Sequence, residues 1–372
     1  MAGAGLPLGS VLSGAMRDVF DILAPDGFEQ VAYCHDRSTG LRAIVAIHST
    51  ELGPALGGTR FYPYASEEEA LVDVCRLAKG MTYKHAACGN DFGGGKAVII
   101  GDPHTLRSEA LLRAYGRFVE GLAGRYLTAE DVGTSQADMD LIARETRHVT
   151  GMSEAFGGSG DPSPATALGV LWAMRAAAER LWGSPSLAGR HVVISGVGKV
   201  GSSLAAHLDA EGAKLTLADV DEARLAAMAE QFGTMTVVAE AAHTVACDIF
   251  SPCALGAVLN AATIPEMRCD AVVGSANNQL ASLADAERLR HRSILYAPDF
   301  VASAGGVINI ADEANGYERD RAYARIESIH DTLAAVFQLS DVENVTTTQA
   351  AERLAEERIA AMSRVRALRT GR

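Results

Sequence analysis

The sequence lacks the features that mark several classes of protein. No apolar run approaches the roughly 18 residues that span a bilayer, and segment 1–17 has no positive region before its mild apolar stretch. We therefore predict no membrane span and no signal peptide, and interpret residues 1–17 as a flexible or docking N-terminus. Basic residues number 33 against 46 acidic ones. This balance argues against nucleic acid or an anionic membrane as a partner, because both require clustered positive charge.

Cysteines are few, and none has a second cysteine at C-x-x-C spacing. In a chain of 372 residues this pattern is typical of buried free thiols in a reducing compartment, which predicts a cytoplasmic protein. No His/Cys pair has metal-ligand spacing, so we predict no metal site, and zinc is only a weak alternative. The six residues are Cys34, Cys75, Cys88, Cys247, Cys253 and Cys269.

Apolar residues at 48% and charged residues at 21% indicate a soluble globular chain long enough for two domains. Residues 29–35 and 41–49 predict a hairpin. Ser66 and Glu69 predict a capping box at the start of a helix with an apolar stripe. A strand at 96–100, a helix at 108–122 and a strand at 125–128 complete the first third. The final helices are predicted at 323–337 and 348–368.

A dense Gly/Pro/Ser run at 157–164 predicts the domain boundary. A helix from 165 to 182 follows, and then strand, glycine-rich turn, helix and strand, the order of a parallel βαβ sheet. We therefore predict an α/β protein with two domains and a cleft between them. Residues 1–160 form one domain, on which helices 331–372 pack back, and residues 161–330 form the second.

The second domain carries a candidate dinucleotide site. A buried-strand pattern at 191–195 is followed by GVGKVG at 196–201, a helix at 202–211 and a strand at 214–218. This is the context in which G-x-G-x-x-G is informative. Gly196 would permit the tight turn, Gly198 the approach of a pyrophosphate, and Gly201 close helix–strand packing. The helix N-terminus would favour the anion.

Asp219 ends the second strand, 18 residues after Gly201. A carboxylate there accepts hydrogen bonds from both ribose hydroxyls and repels a 2′-phosphate, so NAD is predicted over NADP. The alternative interpretation is an ordinary βα turn with a surface acid.

Two lysines and an aspartate are the candidate chemical groups of the first domain. Lys84 ends the predicted helix, and Lys96 opens a buried strand behind three glycines. This is not a phosphate loop, because Asn90 stands where the first glycine should be and Ala97 where Ser or Thr should bind magnesium. Asp131 follows the next strand. A salt bridge between Asp131 and one lysine, without chemistry, is an alternative that the pattern leaves open.

Seven motifs in order resemble the amino acid dehydrogenases that include glutamate, leucine, phenylalanine and valine dehydrogenases. The resemblance spans about residues 27–335 and is most specific to valine dehydrogenases at 57–66 (GGTRFYPYAS), while 305–313 and 316–319 are similar to leucine dehydrogenases. The seven motifs are GPALGGTR at 53–60, GMTYK at 80–84, GGGK at 93–96, EDVGT at 130–134, SPCALG at 251–256, ANNQ at 276–279 and APDFV at 297–301.

The resemblance implies NAD-dependent oxidative deamination of a branched-chain L-amino acid to the 2-oxo acid and ammonia. Lys84 would bind the substrate carboxylate, Lys96 would polarise the water and the carbonyl or imine, and Asp131 would hold the ammonium and shuttle a proton. Mutual repulsion of the lysines should lower one pKa toward neutrality. The resemblance adds Gly57, Gly58, Met81 and Ser303 at the substrate, and Thr166, Lys199, Val200, Ala254 and Asn277 at the cofactor.

Two positions depart from the family pattern. Ser303 stands where the family usually has Asn, at a predicted helix start facing the cleft, and would need a water to reach the substrate. His85 stands where Asn usually follows the first lysine, before an unusually polar stretch at 88–92. These departures leave open an aromatic or unusual amino acid substrate, or a catalytically weak NAD-binding paralogue.

The substrate pocket and the assembly are predicted only coarsely. Leu56 and the residues near Val307 and Ile308 should line an apolar pocket for the substrate side chain. The family is oligomeric, and the hairpin at 29–49 could pair across a two-fold axis, so a homo-oligomer is expected.

Overall fold

Two β-sheets divide the computed structural model, which describes residues 19–366. The predicted flexible or docking segment at 1–17 lies outside these residues. The first sheet has the order β1-β2-β4-β3-β5. Its strands are β1 (Gln30–Asp36), β2 (Leu41–Ser49), β3 (Ala55–Tyr62), β4 (Gly93–Ile100) and β5 (Tyr126–Glu130). The accompanying helices are α1 (Val19–Leu23), α2 (Glu67–Ala87), α3 (Pro103–Leu106), α4 (Glu109–Gly121) and α5 (Gln136–Ile142).

The first sheet combines a hairpin with three parallel strands. β1 pairs antiparallel with β2, as predicted from the turn between them. β2 is antiparallel to β4, whereas β3 runs parallel to both β4 and β5. This order places β3 between the strand that carries Lys96 and the strand that leads to Asp131.

Helix α2 covers one face of this sheet through the predicted apolar stripe. Leu71, Val74 and Ala78 are buried against residues of β2 and β4. Ser66 caps the helix by accepting from the Glu69 N–H at 3.0 Å. The predicted capping box is incomplete, because the Glu69 carboxylate bonds the N–H of Ala65 rather than that of Ser66.

The second sheet is parallel throughout and has the order β11-β10-β9-β6-β7-β8. Together the two sheets confirm the predicted α/β architecture. The strands are β6 (His191–Ser195), β7 (Lys214–Ala218), β8 (Met235–Val237), β9 (Ile249–Pro252), β10 (Ala271–Val272) and β11 (Leu295–Tyr296). The helices are α6 (Ser163–Trp182), α7 (Lys199–Ala210), α8 (Glu222–Phe232), α9 (Leu283–His291), α10 (Asp299–Ala302), α11 (Gly305–Asp312), α12 (Arg319–Glu343) and α13 (Thr347–Arg366).

The C-terminal helices divide between the two domains, α12 with the second and α13 against α2 of the first. Residues 331–372 were expected on the first domain, but Leu333 and Phe337 of α12 are buried in the core around α6 and β6. Their apolar face continues that of Ile326 and Ile329, so the helix buries one stripe against α6 along its length. α13 contacts α2, where Tyr83 donates a hydrogen bond to Glu356 at 3.1 Å.

Free thiols occur throughout the described residues, but burial is complete only for Cys75 and Cys88. The other four are half-buried, so the prediction of buried thiols is wrong for them. Within residues 19–366 no group of three or more His, Cys, Asp or Glu side chains is arranged to hold a metal. None of the helices in this range is long and apolar enough to cross a membrane.

Candidate active site

A cavity of about 310 Å³ lies between the two sheets. Lys84, Lys96 and Asp131 face it from the first sheet and its helix. Asn277 and Asp299 face it from loops and helices that belong with the second sheet. The two lysines and the aspartate, separated in sequence, are thus brought to one cavity, and we refer to these three residues as the lysine cluster.

Strand β3 determines how the cluster is assembled. Lys96 lies on β4 at one side of β3, and Asp131 directly follows β5 at the other side. A Cβ atom at Gly57 would overlap the carbonyl oxygen of Gly95, and one at Gly58 would overlap that of Glu130. The two glycines therefore allow the strands beneath the cluster to approach closely. Met81 of α2 packs over the same point, with its Cγ 3.3 Å from the Cβ position of Gly57.

Lys96 and Asp131 form a buried ion pair. Their Nζ and Oδ2 atoms are 2.6 Å apart, and Lys96 is only 7% exposed. Burial opposes ionisation of Asp131, but the charge and the hydrogen bond of Lys96 outweigh it and lower the pKa of the carboxyl below its usual value. Asp131 therefore stays an anion at neutral pH.

Lys84 is held from the opposite side of the cavity. It lies in the last turn of α2, and its Nζ donates to Ser303 Oγ at 3.1 Å. Burial lowers the pKa of Lys84, and the positive charge of Lys96 lowers it further, against the opposing charge of Asp299. The prediction named repulsion between the lysines as the cause, but burial is the larger one.

Ser303 lies between α10 and α11 and is buried. It is the C-terminal cap of α10 and lies two residues before the start of α11, whereas the sequence predicted a helix start at this position. Its hydroxyl contacts Lys84 directly, so its partner in the cavity is the lysine that was predicted to bind the substrate carboxylate.

The apolar wall of the cavity is formed by Leu56 and by residues of the predicted segment of α11. Val307 and Ile310 line the cavity, whereas Ile308 does not. Ile308 is buried in the core around α6. The reason is helical geometry, because residues three apart on α11 share a face and the adjacent residue points elsewhere.

His85 lies behind the cavity wall and not in the cavity. Its Nε2–H donates to the carbonyl oxygen of Leu56 at 3.2 Å, and its Nδ1 accepts from Asn90 at 3.2 Å. Arg325 of α12 donates to Asn90 Oδ1 at 2.6 Å, and Arg358 of α13 donates to the carbonyl oxygen of Asn90 at 2.8 Å. Burial lowers the pKa of His85 to about 3. The polar residues that depart from the family pattern therefore tie α2 to the C-terminal helices.

The glycine turn, residues 196–201, connects β6 to α7. Gly196 has φ of 106°, a conformation that favours glycine, and a Cβ there would lie 2.6 Å from the Cβ of Ala254. Gly198 precedes α7 and faces open space, whereas a Cβ at Gly201 would overlap the carbonyl oxygen of Gly196. The Asp219 carboxylate accepts from the Val197 N–H at 2.7 Å. The turn thus presents bare backbone at a helix N-terminus, which fits a pyrophosphate.

The other predicted cofactor residues are distributed around the turn and the cavity. Val200 packs on the core of the second sheet, and Lys199 is exposed and pairs with Asp161 at 3.0 Å. Thr166 donates to the carbonyl oxygen of Pro162 near the start of α11. Asn277 lies in the cavity with the lysine cluster.

Sequence reasoning missed two charged residues of the site, Arg60 and Asp299. Arg60 Nε lies 3.6 Å from Asp131 Oδ2, and the half-buried Asp299 lines the same cavity as Lys84. Both residues occur in motifs used for the resemblance, GPALGGTR and APDFV, and a charged residue inside an otherwise apolar motif is the signal that could have identified them.

The chain is similar to known proteins over nearly its whole length. The family model described as Glu/Leu/Phe/Val dehydrogenase, dimerisation domain, matches residues 28–148. The model described as Glutamate/Leucine/Phenylalanine/Valine dehydrogenase matches residues 157–223 and 216–367. The chain is 52% identical to leucine dehydrogenase of Geobacillus stearothermophilus, over 94% of this chain and 95% of that protein.

Two further relatives are similar over nearly the whole chain. Valine dehydrogenase of Streptomyces virginiae is 52% identical, over 90% of this chain and 94% of that protein. The crystal structure of L-tryptophan dehydrogenase from Nostoc punctiforme superimposes with a TM-score of 0.84 at 42% identity, covering 93% and 99% of the two chains. The predicted resemblance is confirmed, and the protein is an oxidoreductase with a dinucleotide-binding fold. The chain belongs to the glutamate/leucine/phenylalanine/valine dehydrogenase family.

Proposed function

We propose that the protein catalyses the NAD-dependent oxidative deamination of a branched-chain L-amino acid to its 2-oxo acid and ammonia. The observation that carries the proposal is the lysine cluster, which faces Asn277 across one cavity. Leucine and valine dehydrogenases at 52% identity support the substrate class.

The charges of the cavity match the groups of an amino acid. The Lys84 ammonium binds the substrate carboxylate, with its Nζ oriented by Ser303. Asp131, kept ionised by Lys96, accepts hydrogen bonds from the substrate amine. Leu56, Val307 and Ile310 surround the aliphatic side chain.

Bound NAD would accept the hydride that leaves the α-carbon, converting the amino acid to an imine. As a water approaches the imine carbon, Lys96 passes one proton to Asp131, and the neutral Nζ then takes the proton of the attacking water. Asp131, now protonated, gives its proton to the nitrogen, so that ammonia departs while the hydroxyl proton leaves to solvent and the carbonyl of the 2-oxo acid forms. The 2.6 Å contact between Lys96 and Asp131 allows the proton to move within the pair.

Acidic groups near the glycine turn favour NAD over NADP. Asp219, Glu222 and Glu240 line a hollow at the end of β7, and no lysine or arginine of the described chain lines it. A 2′-phosphate would meet three carboxylates there without a compensating cation. Steady-state kinetics with both cofactors test this proposal. We expect the wild type to have a much higher kcat/KM with NAD than with NADP, and Asp219→Ala should reduce the ratio of the two values. Equal kcat/KM of the wild type with the two cofactors would contradict the proposal.

We also propose a homo-oligomer assembled through the first domain. β1 is an edge strand of its sheet, and the family model that covers it is described as a dimerisation domain. An exposed edge offers unpaired N–H and C=O groups to a second copy. Light scattering during size-exclusion chromatography should give a mass of at least twice 39.0 kDa.

The second candidate substrate is an aromatic amino acid. The likeness to a tryptophan dehydrogenase favours it, and Ser303 occupies less space than the usual Asn. A panel of valine, leucine, phenylalanine and tryptophan with NAD decides between the two. We expect the highest kcat/KM with valine or leucine. A higher value with tryptophan would favour the second candidate, and no NADH with any of them would indicate a catalytically weak paralogue.

A further inference from the structure

Arg60 lies between two carboxylates at the edge of the cavity. Its Nε is 3.6 Å from Asp131 Oδ2, and its Nη1 donates to Asp73 Oδ2 at 2.8 Å. The Nε atom is buried and has no hydrogen-bond partner. The guanidinium is held by Asp73 through Nη1, with its buried Nε beside Asp131, so its charge lies next to the lysine cluster.

The far side of Arg60 is anchored by a second set of contacts. Asp73 lies on α2, and its Oδ2 also accepts from the Tyr64 hydroxyl at 2.7 Å. Arg76 donates to the other oxygen of Asp73 at 2.8 Å, but is more than half exposed. Asp73 and Tyr64 thus hold the guanidinium while Arg76 balances charge at the surface.

We propose that Arg60 is a positioning residue that holds the Asp131 carboxylate against Lys96 and keeps the Lys96–Asp131 pair in its reactive charge state. This inference rests on the proposed function. Asp131 directly follows a strand and is contacted by Lys96 from β4, so Arg60 on β3 supplies the second cation on its open side. Arg60 lies at the edge of the same cavity and acts through Asp131, the carboxylate beside its Nε.

The sign of the effect follows from the charges around the pair. Removing a cation raises the pKa of every nearby group, so the apparent pKa of the coupled pair rises. The groups that face the pair from the packed elements are Arg60, Asp73, Lys84, Glu130 and Asp299. Arg60 and Lys84 are the cations among these groups. Substitution of Arg60 therefore changes the charge beside the pair while both lysines of the cluster are kept.

The test is the pH dependence of kcat/KM for oxidative deamination in Arg60→Gln. We expect the acidic limb to move to higher pH by about 0.5 to 1 unit, which is a three- to tenfold loss on the limb. Arg60→Lys should recover at least half of the movement. Lys79→Gln is the control, because it removes a cation of α2 that pairs with Asp26 and does not line the cavity, and it should leave the limb in place.

A purely structural role gives a different result. Arg60→Gln would then lower the melting temperature and the plateau value of kcat/KM, while the acidic limb of the pH profile stays where it is in the wild type. Arg60→Lys would not restore the plateau value. That outcome overturns the inference. Asp131→Asn distinguishes failure of this inference from failure of the proposed function. If Asp131→Asn keeps full activity, the catalytic assignment of Asp131 is wrong. If Asp131→Asn is inactive and the limb of Arg60→Gln is unmoved, only the role of Arg60 is refuted.

Discussion

The lysine cluster and the glycine turn differ in how the chain builds them. The turn is six consecutive residues, three that follow β6 and three that begin α7, and it works through backbone and the absence of side chains. The cluster takes Lys84 from a helix, Lys96 from a strand and Asp131 from the end of another strand, and it works through buried charge. A site made of local backbone is specified by local sequence, whereas a site made of buried charge depends on the surrounding fold for its electrostatics.

Lys96→Ala is the strongest test of whether the two regions act independently. We expect kcat to fall by a factor of about 100 or more, because an acid–base group is lost from the reacting centre. The dissociation constant for NAD should stay within about twofold, because the glycine turn belongs to the other sheet. Lys79→Ala, which removes an exposed lysine of α2, is the control for both quantities. Loss of NAD binding in Lys96→Ala would mean that the two regions are not separable.

His85→Asn tests what supports the lysine cluster from behind. Burial lowers the pKa of His85 to about 3, so the unfolded chain binds the extra proton first as the pH falls. The neutral ring therefore contributes stability above about pH 6.5 that is lost progressively toward pH 3. Between pH 7 and pH 5 the wild type should lose about 2 kcal/mol of unfolding free energy through this residue.

Urea unfolding at pH 7 and pH 5 measures this contribution. His85→Asn should show a pH dependence smaller by about 2 kcal/mol than the wild type. His35→Asn changes an exposed histidine of β1 and should leave the pH dependence unaltered. Equal pH dependence in His85→Asn and the wild type would show that His85 is not held neutral in the folded protein.

Gly201→Ala tests the glycine turn in the same manner. Its Cβ would overlap the carbonyl oxygen of Gly196, so the turn must shift to accept it. We expect the affinity for NAD to fall about tenfold, equivalent to about 1.4 kcal/mol. Gly121→Ala, at the end of α4 with no heavy atom within 4 Å of its Cβ position, is the matched control. Titration of NAD by fluorescence gives both values, and an unchanged affinity would dissociate the turn from cofactor binding.

Ser303→Asn is expected to have the smallest effect. Ser303 belongs with the second sheet but contacts Lys84 of the lysine cluster. An Asn side chain can accept from Lys84 as the serine hydroxyl does, and its NH2 group reaches further into the cavity than the serine O–H. We expect kcat/KM for valine and leucine to rise about three- to tenfold, in line with one added hydrogen bond. Ser303→Ala should lower it, because the Lys84 ammonium loses an acceptor.

The same variant also separates the two candidate substrates. If Ser303→Asn leaves valine and leucine unimproved and reduces activity on phenylalanine or tryptophan, the smaller serine makes room for a bulky substrate. Values indistinguishable from the wild type on all four amino acids would show that this side chain does not influence the bound substrate.

Sequence alone determined the features that depend on neighbouring residues. The hairpin of β1 and β2, the apolar stripe of α2 and the strand–turn–helix at Gly196 to Gly201 each follow from spacing within a short segment. Ordered motifs were sufficient to indicate the family as well. These features could be predicted because their physical causes, which are side-chain periodicity and backbone conformation, act over a few residues.

Only the tertiary structure decided which side chains meet. Lys84 bonds Ser303 across 219 positions of sequence, and Arg325 reaches Asn90 across 235. The same applies to the second cation on Asp131 and to α12, whose apolar stripe matches α6 rather than the first sheet. Such contacts depend on how whole elements pack, and the pattern of residues along the chain could not determine them. Burial at these contacts also shifts the pKa values of groups such as Lys84 and Asp131, which therefore depend on the tertiary structure as well.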